Sequence, residues 1–169
     1  MTTMKNANIV AISFYALIVV STFAQAQSTN SSHQEASVTM HARGPFDVKV
    51  TPQDDKSADA KLGRMALDKQ YHGDIEGTGV GQMLTAGTDV KGSGAYVAIE
   101  KVTGTLKGRS GSFVLQHTGT MSGGQFHLNV TIVPDSGTGE LVGISGKMTI
   151  NIADGKHSYD LEYTLSAAQ

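Results

Sequence analysis

At 169 residues, with no cysteine and with 13 basic against 15 acidic side chains, the chain carries a formal net charge of −2. That composition excludes a disulfide framework and any thiolate metal site. It also lacks the basic excess that marks a nucleic-acid binder, so no nucleic-acid partner is expected.

The first 26 residues read as an export signal. Lys5 gives a positive start, residues 9–23 form a mostly apolar run, and Ala24-Gln25-Ala26 fits a small-x-small cleavage site. The apolar run falls short of the roughly 20 residues a spanning helix needs, which favours a cleaved signal over an anchor. The expected product is periplasmic or secreted, with no membrane span after cleavage. Residues 27–36 are polar and read as a disordered tether. Residues 37–169 read as one β domain, because Val, Ile and Thr gather in short runs between glycine-rich turns.

Val38 to Val50 alternates in hydrophobicity across an interruption at Gly44-Pro45. The apolar face keeps its phase, which predicts one bent strand. A charged loop follows, Thr51 to Gly63. Arg64 to Glu76 is expected as the next strand, with Met65, Leu67, Tyr71 and Ile75 on one face and Lys69 among them. Its other face carries Arg64, Asp68, Gln70, His72, Asp74 and Glu76 and reads as wet. His72, Asp74 and Glu76 alternate as metal ligands could, but on a wet face they read as solvated, and no metal or cofactor is expected. Gly77 to Gly81 is a glycine-broken segment, and a further strand is expected near Gln82 to Val90.

A long hairpin, Gly94 to Met121, comes next, then the turn Ser122 to Gln125 and a strand from Phe126 to Val133. Pro134 to Gly146 is a glycine-punctuated loop with a short extended piece expected at Glu140 to Val142. Lys147 to Ile152 and a last strand lined by Tyr159, Leu161, Tyr163 and Leu165 flank Asp154-Gly155, a strong hairpin signal. About eight strands joined by short hairpins predict an all-β, eight-stranded antiparallel barrel, which removes sheet edges by closing. A sandwich would need longer crossovers. Eight strands leave an interior filled by side chains or holding one small ligand.

Within the hairpin, Tyr96, Ala98, Glu100, Val102, Gly104 and Leu106 share one parity, and Phe113, Leu115, His117 and Gly119 share another. Both sets contain core residues, so both face inward. A four-residue loop, Lys107 to Ser110, places Leu106 opposite Gly111 and Glu100 opposite His117. A two-residue slip would leave that pair as diagonal neighbours on the same face. A carboxylate beside an imidazole on an inner face is either a general acid–base pair or ligand anchor, or a satisfied buried pair that fixes register. Glu100 and His117 are the candidate catalytic residues, and Tyr96, Glu100, His117 and Lys69 the candidate ligand contacts. Lys69, if buried, would need a partner such as Glu100. Its expected place is the barrel mouth, stem packed and amine wet.

The segments Gly44 to Val48, Leu62 to Met65, Asp68 to Asp74, Tyr96 to Glu100, Gly108 to Phe113 and Val133 to Leu141 together resemble an uncharacterised bacterial domain-of-unknown-function family of small β proteins. That family is similar in fold to allene oxide cyclases and plant dirigent proteins, and Gly137 to Gly146 looks like the glycine-rich loop of those barrels. The resemblance implies an eight-stranded barrel with an internal pocket and a possible homo-oligomer. It assigns no function, and no catalytic residue transfers position by position. Three functions stay open: a barrel binding a small, mainly apolar ligand, a cyclase or isomerase using Glu100 and His117 for proton transfer, and a solid-cored structural or interaction module.

Overall fold

The computed structural model describes residues 38–54 and 61–166. The expected export signal and tether, and part of the charged loop, lie outside the described residues. The described chain forms β1 (Met40–Gln53), β2 (Leu62–Tyr71), β3 (Ile75–Gly87), β4 (Gly94–Leu106), β5 (Arg109–Ser122), β6 (Gln125–Ile132), the two-residue β7 (Thr138–Gly139), β8 (Ile144–Ala153) and β9 (Lys156–Leu165). Each of β1 to β5 pairs antiparallel with the next up to β6, β6 pairs with β8, β8 with β9, and β9 pairs back onto β1. The result is a closed eight-stranded barrel, with β7 as a short strap on Gly111 and Ser112 of β5.

Three hairpins turn on two residues, each with positive φ at both: Lys107 and Gly108 (47° and 82°), Gly123 and Gly124 (57° and 77°), and Asp154 and Gly155 (51° and 73°). Their twist matches that of the strands they join. The first corrects the expected register. Lys107-Gly108 is the whole loop, so Leu106 pairs with Arg109, Glu100 with Leu115 and His117 with Ala98. Glu100 and His117 are therefore diagonal rather than directly opposite, still on one inward face.

Two further expectations are corrected. Arg64 to Glu76 is not one strand, because the chain reverses at His72-Gly73-Asp74. The backbone of β1 captures that turn: His72 N donates to Pro45 O at 3.1 Å and Asp74 N to Arg43 O at 3.0 Å. The glycines of 77–81 then lie inside β3 instead of breaking it. The extended piece expected at Glu140 to Val142 forms instead at Thr138–Gly139. Glu140 clamps the loop, its Oε2 accepting from Ser110 N at 2.7 Å. Leu141 then turns inward and is buried, covering that end of the barrel.

That covered half, near the β2–β3 and β4–β5 turns, is solid. Ile75, Leu106, Phe113, Leu115, Leu141 and Leu161 are each 1% exposed or less. Removing each such side chain from water stabilises the fold by roughly 1.5–3 kcal/mol. The opposite half, toward the β5–β6 and β8–β9 turns, is differently built.

Candidate functional site

The inner face of β3 carries glycine where its neighbours carry long side chains. Gly79 lies opposite Lys69 of β2, and Gly81 lies between Leu67 of β2 and Glu100 of β4. A Cβ at Gly79 would overlap Glu100 Oε1 and come within 3.0 Å of the Tyr71 ring. With no side chains on the strand between them, groups from β2 and β4 meet across the gap.

They meet on the Glu100 carboxylate, which is 0% exposed. Tyr71 OH donates to Oε1 at 2.8 Å, and Lys69 Nζ donates to Oε2 at 2.7 Å. Lys69 Nζ also donates to Tyr71 OH at 3.3 Å and sits 4.9 Å over the Phe46 ring. His117 completes the cluster from β5. Its Nε2 stands 3.0 Å from Glu100 Oε2, at ion-pair distance but outside hydrogen-bonding alignment, so this buried atom has no hydrogen-bond partner.

Burial pushes the Glu100 carboxyl up, but the adjoining His117 imidazole and Lys69 ammonium outweigh that and hold it below the usual carboxylate range. Burial first, and then the Glu100 charge, raise the Tyr71 and Tyr96 hydroxyls, which keeps both as neutral donors. Lys69 corrects its expected place: its side chain is 5% exposed and ion-paired, not wet at the mouth. An ammonium so enclosed needs a partner, and Glu100 supplies it.

Above the cluster the barrel is hollow. A cavity of about 160 Å³ opens toward the β5–β6 and β8–β9 turns, walled by apolar side chains such as Val48, Leu67, Met83, Leu128 and Ile150. Lys69, Tyr96 and His117 line it, whereas Glu100 lies behind the lining. Tyr96 stands at the wall, stacked on Phe126 at 6.4 Å and packed over Gly119. A larger, shallow depression of about 430 Å³ on the outer face of β1 to β3 is bordered by Asp47, Lys49, Asp68 and Gln70. Its border mixes charges of both signs, and of the buried cluster Lys69 alone borders it, whereas Lys69, Tyr96 and His117 together line the interior cavity, which is the better site.

All four residues singled out in the sequence thus fall in one region. Tyr71 and His157 were missed. Tyr71 could have been found, since it lies two residues from Lys69 on one face. His157, packed on Phe46 at 5.2 Å, gave no signal in its turn-proximal position.

The family model described as "Protein of unknown function (DUF3224)" matches residues 42–163. The chain belongs to the DUF3224 family. Among solved structures, this DUF3224 chain is similar to a family member of unknown function from Shewanella oneidensis MR-1, at 48% identity and a TM-score of 0.74. That match covers 78% of this chain and 100% of the other. No curated protein matches the chain.

Proposed function

We propose that this DUF3224 barrel binds a small, mainly apolar molecule in its open half, the molecule's polar end directed at Lys69, His117 and Tyr96. The observation that carries the reading is a polar floor beneath an apolar wall inside a closed barrel. Enclosing an ammonium and an imidazole costs desolvation energy that an all-apolar filling would avoid. A few convergent polar groups in an apolar cavity are the usual form of a ligand site. Binding is preferred to proton transfer by Glu100 because both its oxygens already accept hydrogen bonds and its affinity for protons is lowered, which weakens it as a base.

The test is a fluorine NMR titration with para-fluorotoluene, a neutral apolar probe, followed also through the protein's amide spectrum. The expected result is saturable binding, with shifts clustered at Leu67, Met83, Leu128 and Ile150, and its loss when Met83→Trp fills the cavity. Absence of saturable binding, or shifts confined to the outer face, would overturn the reading. With the export expected of residues 1–26, the protein would work outside the cytoplasm. A chain starting at Gln27 in a periplasmic or culture fraction would support that, and an uncleaved chain in the cytosol would refute it.

A further inference from the structure

The hydrogen bonds on the floor show which head group it can still receive. Glu100 is fully enclosed, with Oε1 taken by Tyr71 and Oε2 by Lys69, so a ligand does not reach it. Tyr71 OH donates to Glu100 and accepts from Lys69, so it too is occupied. What remains is donors. Lys69 has three ammonium protons. Among the described residues the hydrogen bonds of its Nζ go to Glu100 and Tyr71, which leaves one proton unplaced. His117 Nε2 is buried with no hydrogen-bond partner. Both nitrogens touch the same Glu100 oxygen, so they are close neighbours on the floor.

Charge points the same way. One carboxylate, Glu100, faces both the Lys69 ammonium and the His117 imidazole, so the floor sets two basic side chains against a single acidic one. An incoming carboxylate supplies a second acidic group and accepts from two donors at once. An incoming amine would bring a like charge beside Lys69. Size limits the apolar part, since about 160 Å³ is close to the roughly 150 Å³ of an apolar cavity that holds benzene. We infer that the cavity takes a compact apolar carboxylic acid, one ring or a short chain, bound head-down with its carboxylate between Lys69 and His117. This rests on the binding reading above.

The experiment compares para-fluorophenylacetate, para-fluorophenylacetamide and para-fluorophenethylamine on the intact protein by fluorine NMR. The acid is expected to bind at least about tenfold more tightly than the amide, with the amine weakest. His117→Phe keeps the ring volume and strands no charge. It should bring acid and amide to within about twofold of each other. Lys69→Met combined with Glu100→Gln removes the ion pair as a unit and should do the same. A folded amide spectrum is required of both variants. Equal affinity of acid and amide in the unmodified protein, or an acid preference that survives in both variants, overturns the inference. If para-fluorotoluene still binds in the cavity, that failure leaves the binding reading standing. If none of the four probes binds, both fail.

Discussion

Glu100 holds the charged centre together, and its neighbours make it intolerant of change. Replacing it alone by Gln leaves the Lys69 ammonium enclosed without a counter-charge, a loss that costs about 3–5 kcal/mol. The double variant Lys69→Met, Glu100→Gln should recover most of that loss, and urea unfolding of both variants measures the difference. The same carboxyl sets an acid limit. Its folded-state pKa lies below the ordinary carboxylate range, so its stabilisation is full above that range and is lost as pH falls through the lowered folded-state pKa. Urea midpoints across acid pH should therefore fall more steeply for the native chain than for the double variant, and parallel curves would refute the assignment. Gly79 guards the same spot. Gly79→Ala would press a methyl group against Glu100 and Tyr71 and should cost about 1–3 kcal/mol, again read by urea unfolding.

At the scale of elements, turn chemistry decided what the sequence disclosed. Asp154-Gly155 announces a two-residue hairpin, and the β8–β9 register follows from it. Lys107-Gly108 makes the same turn with a residue that does not advertise it, so the β4–β5 register came out two residues off while parity kept Glu100 and His117 on one face. Asn tolerates positive φ better than Lys. Lys107→Asn should accordingly raise stability by about 0.5 kcal/mol. The ion pair it removes, Lys107 to Asp74 at 3.7 Å, is half exposed and contributes little. An unchanged or lowered urea midpoint would count against this account. Alternation makes the eight barrel strands readable, except at the β2–β3 turn, where Leu67, Tyr71 and Ile75 keep one parity across the reversal. The burial of Lys69 was not readable, because it depends on three glycines of β3 that look like a break until the neighbouring strands are in place.

Across the whole barrel the seams are unequal. Among the described residues β6 and β8 pair only at Thr131 and Lys147, whereas β4 and β5 pair along their full length. The weak seam borders the cavity, since Phe126 and Leu128 on one side and Ile150 and Ile152 on the other line it. Local opening is expected there first. Amides of 125–130 and 148–153 that face this seam should exchange with deuterium faster than those of β4, and a bound acid should slow them. Uniform exchange around the barrel would contradict this. The inward Leu141 at the other end has a different consequence. A barrel stoppered at one end is a vial rather than a pipe: under the binding proposed above, a guest would leave by the side it entered, one occupant would bar the next, and residence time would be set at that one mouth.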